Sequence, residues 1–381
     1  MSSEIDGLLV NGYFDDRFAQ SVGVFARHIL SGQDVGASFA LSIEGEMAVD
    51  VWAGAHDESG KVLWREDTLI NVYSSTKTVA FLCALVAADR GLIDFDAPVC
   101  DYWPEFKSSG KDGVLVWHLM NHAAGLPGLD RSVTLEEMCD WNTITGMLAA
   151  QAPWWEPGSA IGYHAMTQGY LIGEVLRRAT GVPLGQFLRE EIAGPLEADF
   201  YIGVPKSEFH RICNLIPPEG GPPVAEEGTI AARTFASPAP RAEDSWTDIW
   251  RQAELPAVNG HGNARSLVRL QTPLACGGSA FGVDLMSEKT ARSVMRERIR
   301  GVDQVLGAPM AFGLGFGLSR DPVRLAPNDN SCFWGGWGGS IVLIDQDERL
   351  AMSFVMNKMS SGTLGDLRAL NLSKQVYRDL G

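Results

Sequence analysis

The sequence lacks the features that mark several large classes of protein. Its 381 residues include six cysteines, and no two of them form a CxxC pair, which argues against a disulfide scaffold or a thiolate metal site and favours a reducing compartment. The longest apolar run, residues 79–88, is about half the length that a membrane-spanning helix needs. The pattern GxSxG, which marks the nucleophile of α/β-hydrolases, does not occur.

Positive charge is also scarce. Lysine and arginine number 31 against 47 aspartates and glutamates, so the net charge is −16. This balance argues against nucleic acid or an anionic membrane surface as a partner. Residues 1–6 show neither the basic nor the apolar region of a signal peptide, so we expect a cytoplasmic protein. The composition specifies no oligomeric state, and its 45% hydrophobic and 20% charged residues are typical of a soluble enzyme.

Strand patterns occur near both ends of the chain. Residues 37–43 and 47–54 alternate around a Glu-Gly-Glu turn and predict a β-hairpin. Residues 340–344 and 350–356 flank a polar turn in the same way. We therefore expect an antiparallel sheet that is built from both termini and flanked by helices.

The middle of the chain has helical periodicity. Predicted helices cover 115–120, 135–150, 167–179 and 183–191, and a closing helix covers 364–380. The Pro- and Gly-rich stretch 216–242 predicts a long surface loop. Together these patterns predict an α+β protein in which a mainly helical region is inserted into the sheet. The three parts are expected at residues 1–95, 96–290 and 291–381.

The stretch Ser74-Ser75-Thr76-Lys77 carries the clearest chemical signal. It lies between a short extended entry, 68–73, and an apolar helix over 78–89. Residues at i and i+3 of a helix share a face, so Lys77 can activate the Ser74 hydroxyl without a histidine. The pattern SxxK alone is weak, because Ser108-Ser109-Gly110-Lys111 also matches it. That second match lies in a polar stretch and predicts a solvated serine and lysine.

Two further features supply partners for Ser74. Tyr163 lies between a loop and a predicted helix; beside the Lys77 ammonium its phenol would have a depressed pKa and share the role of base. A packing or capping role is the alternative. The glycine-rich stretch Trp334-Gly335-Gly336 precedes a strand whose N–H groups, with that of Ser74, can hold an acyl oxygen. An ordinary turn is the alternative there.

The order and spacing of the motifs resemble those of a known family. They are Ser74 to Lys77, the stretch HLMNHAAGLP at 118–127, Glu156-Pro157-Gly158 ahead of Tyr163, and Trp334 to Gly336. This set resembles the serine β-lactamase and penicillin-binding-protein superfamily, and within its class C-like branch the family VIII carboxylesterases. The resemblance implies a β-lactamase-like fold, with Ser74 as nucleophile, Lys77 and Tyr163 as its partners, and the N–H groups of Ser74 and Trp337 as the oxyanion hole.

Two departures from class C β-lactamases bear on the substrate. Ala165 stands where they carry an asparagine two residues after the tyrosine, and Trp334 stands where they carry a lysine. The loss of these polar groups favours an apolar ester over a β-lactam. The expected substrate-binding residues are Trp334, Gly335, Gly336, Trp154 and Trp155, with core packing of the tryptophans as the alternative.

No metal or cofactor is expected. His118 and His122 have the i, i+4 spacing of a zinc motif, but Leu119 stands where that motif requires a glutamate. The sequence thus predicts a serine esterase that acts on a small-molecule ester through an acyl-enzyme on Ser74. An acyltransferase, an amidase, a β-lactamase and a non-catalytic binding protein remain the alternatives.

Overall fold

A computed structural model of the chain describes residues 2–221, 225–237, 239 and 241–381. Among these residues, ten strands form one antiparallel sheet in the order β1-β2-β4-β3-β15-β14-β13-β12-β11-β10. Its strands are β1 (Ser2–Ile5), β2 (Leu8–Phe14), β3 (Gly36–Ile43), β4 (Glu46–Gly54), β10 (Ile299–Val302), β11 (Pro309–Phe312), β12 (Gly317–Leu318), β13 (Ser331–Gly335), β14 (Ile341–Asp345) and β15 (Leu350–Met356).

The ends of the chain meet in the centre of this sheet. Strand β15 pairs with β3 along its whole length, with Leu350 opposite Ile43 and Met356 opposite Ala37. Both strands are almost entirely buried because helices cover the sheet. The prediction of an α+β protein with an antiparallel sheet from both termini is therefore confirmed.

Short strands lie outside the large sheet. A three-stranded sheet contains β5 (Leu69–Asn71), β6 (Ile212–Cys213) and β7 (His261–Gly262), and a two-stranded sheet contains β8 (Ser279–Ala280) and β9 (Val283–Asp284). Strand β5 leads directly into the helix that follows the Ser74 motif. It therefore anchors the entry to that motif in the body of the protein.

Helices pack on the sheet and form the middle of the chain. They are α1 (Ala19–Leu30), α2 (Thr76–Asp89), α3 (Val99–Tyr102), α4 (Val116–Met120), α5 (Leu135–Cys139), α6 (Trp141–Ala150), α7 (Thr167–Thr180), α8 (Leu184–Leu188), α9 (Ile230–Phe235), α10 (Asp248–Gln252), α11 (Ala264–Ala275), α12 (Glu288–Ser293) and α13 (Leu367–Leu380). None of the described helices combines the length and the apolar character needed to cross a bilayer.

Helix α2 lies at the junction of the two regions. Twelve of its 14 residues are buried, since it packs against α7 and α8 of the helical region and against α11, which covers β3 and β15. An apolar helix with no solvent-facing side is what such a central position requires. The residue boundaries proposed for the three parts of the chain stay a prediction.

Two predicted segments are divided differently in the structure. The helix expected over 135–150 breaks at Asp140, whose backbone is extended and whose carboxylate accepts hydrogen bonds from the N–H groups of Asn142 and Thr143 as the N-cap of α6. The loop expected over 216–242 contains helix α9, capped by Thr229. Residues 222–224, 238 and 240 of that loop lie outside the described residues.

Candidate active site

The backbone is strained directly before Ser74. Tyr73 has a φ of +43°, a conformation that costs a residue with a side chain roughly 1–3 kcal/mol. Hydrogen bonds hold this segment in place: Val72 N–H donates to Gly260 O at 2.9 Å, and Ser340 Oγ donates to Val72 O at 2.8 Å. The chain then enters a 3₁₀ turn over Tyr73–Ser75 and continues into α2. Ser74 is thereby presented at a fixed position, 6% exposed.

Lys77 lies one turn into α2 and contacts Ser74. Its Nζ is 3.1 Å from Ser74 Oγ, 2.7 Å from Ala165 O and 3.0 Å from Ala257 O. The side chain is 1% exposed, and among the described residues no carboxylate pairs with it. Burial without a counter-charge disfavours the ammonium form, so the pKa of Lys77 lies well below its ordinary value. The surroundings therefore favour a neutral amine.

Tyr163 approaches Ser74 from the helical region. Its hydroxyl is 2.5 Å from Ser74 Oγ, and Lys77 Nζ lies 4.8 Å from the centre of its ring. Complete burial raises the pKa of Tyr163. The sequence-based expectation of a depressed pKa is wrong in this structure, because desolvation of the buried phenol disfavours the phenolate. Tyr163 is held as a protonated hydrogen-bond donor.

The glycine-rich box packs against the entry to Ser74. A side chain at Gly336 would place its Cβ 2.2 Å from Val72 O and 3.2 Å from Ser74 N, so only glycine allows this approach. The next residue, Trp337, has an N–H that donates to no acceptor among the described residues. Both Trp337 and Ser74 line the cavity described below, and the Trp337 N–H, unpaired within the described part of the chain, lies in the residue next to this close approach.

A buried arginine holds the turn that follows Trp337. Arg368, at the start of α13, donates from Nη2 to Gly338 O at 2.5 Å and from Nη1 to Lys358 O at 2.9 Å. The same guanidinium pairs with Asp34 and Asp366. Charge-assisted hydrogen bonds of this kind fix the loop conformation more firmly than neutral ones. No local sequence pattern marks Arg368 for this role.

An apolar cavity of about 300 Å³ opens beside Ser74. None of the described residues that line it is charged. They are Tyr73, Ser74, Tyr163, Ala165, Met166, Ala225, Ala232, Phe235, Ala236, Ala239, Val258, Trp337 and Thr363. Most of these were not identified from the sequence, because alanine, methionine and valine carry no recognisable motif.

Two other tryptophans predicted to bind substrate, Trp334 and Trp155, pack against Tyr163 and the neighbouring Gly162. Trp334 is fully buried and contacts Tyr163, with ring centres 5.5 Å apart, and Phe312 at 5.6 Å. Trp155 packs on the backbone at Gly162 and donates to Ala160 O at 3.2 Å. Neither tryptophan is among the described residues that line the cavity. Gly335, packed against residue 364, also lies outside the lining, as does Gly336.

Trp154 contacts helix α9, and we call the part of α9 that lines the cavity, Ala232 and Phe235, the roof of the cavity. The guanidinium carbon of Arg233, on α9, lies 3.8 Å from the centre of the Trp154 ring. Asp130 accepts hydrogen bonds from both, at 2.6 Å from Arg233 and 2.8 Å from Trp154 Nε1. Trp154 is not among the described lining residues and contacts α9, whose Ala232 and Phe235 line the cavity, so its contact with substrate stays a prediction.

The second SxxK match is structural. The backbone at Ser108 leaves the helical region, with ψ at 160°. Lys111 is fully buried, and its Nζ donates to the carbonyl oxygens of Ser108, Ala149 and Gln151 near the end of α6. The expectation of a solvated lysine is wrong, since the carbonyl groups at a helix C-terminus draw the ammonium inward. Burial lowers the pKa of Lys111 to about 8.

The histidines of the 118–127 stretch accept backbone hydrogen bonds, and His122 does so beside Tyr163. His118 Nδ1 accepts a hydrogen bond from Leu115 N–H at 3.1 Å, and His122 Nδ1 accepts one from His164 N–H at 3.1 Å. Burial lowers the pKa of both rings, to about 4 for His118. In the described part of the chain, no three His, Cys, Asp or Glu side chains converge as metal ligands.

Comparison with known proteins agrees with this geometry. A family model described as Beta-lactamase matches residues 14–376, and the fold is that of this family. The chain belongs to the beta-lactamase family and is a hydrolase of that family. The resemblance inferred from the motifs is therefore confirmed.

Three relatives illustrate this membership. The Esterase/beta-lactamase LipL of Mycobacterium tuberculosis is 32% identical over 376 residues, which cover 93% of this chain and 84% of the relative. The crystal structure of a family VIII carboxylesterase superposes with a TM-score of 0.92 at 39% identity, covering 97% of this chain and 99% of the other. A penicillin-binding-protein homologue from Caulobacter crescentus gives a TM-score of 0.91 at 36% identity, with the same coverages.

Proposed function

We propose that this protein is a serine esterase that hydrolyses carboxylic esters of apolar acids or alcohols through an acyl-enzyme on Ser74. The observation that carries the proposal is the position of Ser74 Oγ. It lies within hydrogen-bonding distance of both Lys77 Nζ and the Tyr163 hydroxyl, and it opens onto an uncharged apolar cavity. Two similar proteins are described as an esterase/beta-lactamase and a family VIII carboxylesterase, which supports the same reaction.

The contacts of Lys77 favour its role as the base. A neutral amine has two hydrogens and one lone pair, and the carbonyl oxygens of Ala165 and Ala257 accept the two hydrogens. The lone pair is then left to accept the hydrogen of the Ser74 hydroxyl, 3.1 Å away. Tyr163, with its raised pKa, donates to the same oxygen from the other side. In this arrangement Ser74 gives up its proton to Lys77 as it attacks.

The reaction follows from these positions. Ser74 Oγ attacks the ester carbonyl carbon, and its proton passes to Lys77. The negative charge on the carbonyl oxygen is stabilised by the N–H groups of Ser74 and Trp337. The proton on Lys77 then passes through Tyr163 to the alkoxide as the carbon–oxygen bond breaks. Water attacks the acyl-enzyme with the same proton transfers in reverse, and the acid is released.

The cavity argues for an uncharged ester over a β-lactam. β-Lactams carry a carboxylate, and none of the described residues that line the cavity offers a positive charge to bind it. Trp334, at the position where class C β-lactamases have a lysine, is buried behind Tyr163. Acyl transfer to an alcohol is the second candidate, since an apolar lining around the acyl-enzyme also disfavours water.

The test compares the two SxxK serines. We expect wild-type protein and Ser108→Ala to hydrolyse short p-nitrophenyl esters equally, because the Ser108 hydroxyl donates a hydrogen bond to Ala149 O near the end of α6 and lies outside the candidate site. Ser74→Ala should lose activity by about 10⁴-fold or more, the scale on which nucleophiles contribute. Mass spectrometry should find the acyl group on the Ser74 peptide. Full activity in Ser74→Ala would refute the proposal, and ester products formed with added alcohol would favour transfer.

A further inference from the structure

A buried aspartate outside the motifs contacts the backbone of Tyr163. Asp303 follows β10 by one residue and is fully buried. Its Oδ1 accepts three backbone hydrogen bonds, each 2.9 Å long, from Val305, Leu306 and Tyr163. The first two close the turn that Asp303 begins. The third crosses 140 residues of sequence to the catalytic region.

The burial of Asp303 exceeds what a turn requires. Among the described residues no cation pairs with it, its Oδ2 has no hydrogen-bond partner, and burial raises its pKa. A buried carboxylate without a counter-charge is costly. Elsewhere in the chain, Asp57 accepts the Ser59 N–H at 2.8 Å in a similar turn while remaining exposed. Turn formation alone therefore gives no reason to bury Asp303.

The segment that contains Tyr163 depends on contacts of this kind. Residues 151–166 contain neither helix nor strand, so no regular hydrogen-bond ladder fixes the main chain there. The turn after β10 holds it at two points: Asp303 Oδ1 accepts the N–H of Tyr163, and Gln304 N–H donates to Ile161 O at 2.9 Å. On the other side of the segment, Gly162 N–H donates to His122 O at 3.0 Å and His164 N–H donates to His122 Nδ1 at 3.1 Å. Among these bonds, the one to Asp303 is the bond made by the N–H of Tyr163 itself.

We propose that Asp303 is a positioning residue of this enzyme, which fixes the main chain of Tyr163 so that its hydroxyl stays within 2.5 Å of Ser74 Oγ. The inference rests on the proposed esterase function. Asp303 does not line the cavity, so its loss should affect proton transfer and leave substrate binding unchanged. A displacement of about 1 Å at a catalytic group lowers rates by roughly 100-fold.

The experiment uses a second buried aspartate as its control. Asp345 is also fully buried and caps its own turn, accepting the N–H groups of Asp347 at 2.9 Å and Glu348 at 3.1 Å. Its Oδ2 accepts hydrogen bonds from Tyr377 at 2.7 Å and Asn328 at 2.9 Å, which account for its burial, and it lies at the far end of β14 from the Trp334 box. We expect Asp303→Ala to lower kcat by roughly 100-fold with KM within threefold of wild type. Asp345→Ala should lose stability but keep the kcat of the folded fraction.

Two variants separate positioning from general destabilisation. Asp303→Asn keeps an oxygen acceptor, so its kcat should fall only three- to tenfold at unchanged KM. Tyr163→Phe should remove most of the activity in wild type but little more in an Asp303→Ala background, because the hydroxyl is already misplaced there. If Asp303→Ala does not fold, Asp303→Asn decides: the three- to tenfold fall supports the proposal, and an unchanged kcat overturns it.

The proposal is overturned if Asp303→Ala keeps kcat within threefold of wild type, or if Asp345→Ala loses kcat as strongly. The rate at which a fluorophosphonate labels Ser74 is measured on the same variants. That rate reports activation of the Ser74 hydroxyl whatever the natural acyl donor is. Slower labelling of Asp303→Ala supports positioning even where wild type hydrolyses no ester in the panel, in which case only the esterase proposal fails; equal labelling overturns positioning.

Discussion

The amine of Lys77 lies 3.1 Å from the hydroxyl oxygen of Ser74, and its other two contacts are backbone carbonyl oxygens. Within the described part of the chain, no carboxylate pairs with this buried side chain. Burial without a counter-charge lowers the pKa of Lys77 and so favours the neutral amine, which in the proposed mechanism accepts the Ser74 proton. This arrangement allows the serine to be activated without a histidine.

A neutral Lys77 predicts a specific pH dependence of stability. The unfolded lysine has a pKa of about 10.4, and burial depresses the folded value. Between these two pKa values the unfolded chain binds one more proton, so the free energy of unfolding rises with pH. As pH falls from 10 to 6, wild type should lose stability relative to Lys77→Met, and denaturant unfolding at each pH measures the difference.

Lys111→Met is the matched control for that experiment. Lys111 is equally buried among carbonyl oxygens, and its pKa is lowered to about 8, but it lies outside the candidate site. We expect Lys111→Met to change the pH dependence of stability in the same direction and to keep ester hydrolysis, while Lys77→Met is inactive. Parallel stability curves for wild type and Lys77→Met would show that Lys77 is charged in the folded state.

The roof of the cavity should set the length of the acyl or alcohol chain. Ala232 on α9 lines the cavity, and each CH₂ group that the cavity buries contributes about 0.8 kcal/mol, or roughly fourfold in kcat/KM. Ala232→Leu fills part of this space, so kcat/KM should fall tenfold or more for long-chain p-nitrophenyl esters and stay near wild type for the acetate. Ala231→Leu, on the same helix but outside the lining, is the control. An unchanged chain-length profile in Ala232→Leu would place the chain elsewhere.

The contact between Arg233 and Trp154 should stabilise the roof as a unit. A cation over an aromatic ring at an exposed position contributes about 0.5–1 kcal/mol. We expect Arg233→Ala and Trp154→Ala each to raise KM two- to fourfold, and the double variant to raise it no further, since one contact is lost in all three. Arg131→Ala removes a similarly exposed pair, with Glu137 at 2.9 Å, and should leave KM unchanged. Additive effects on KM would show that the two residues act independently.

The elements predicted from the sequence are those with strong local patterns. The hairpin at 37–54, the strands at 340–356 and the apolar helix after Ser74 are all present, as β3 and β4, β14 and β15, and α2. The spacing of apolar residues along the chain reflects which faces of a strand or helix are buried, so it can be recognised in the sequence alone. The break at Asp140 and helix α9 escaped prediction because each depends on a capping bond between neighbouring residues.

The sequence by itself determined the family, the order of the motifs and the identity of the Ser74, Lys77 and Tyr163 candidates. The tertiary structure decided their electrostatic environment, because burial without a counter-charge lowers the pKa of Lys77 and burial raises the pKa of Tyr163. It also removed Trp334 from the cavity surface and brought Asp303 to the Tyr163 backbone. Desolvation and contacts across 140 residues arise only when distant segments pack together, so no local pattern could reveal them.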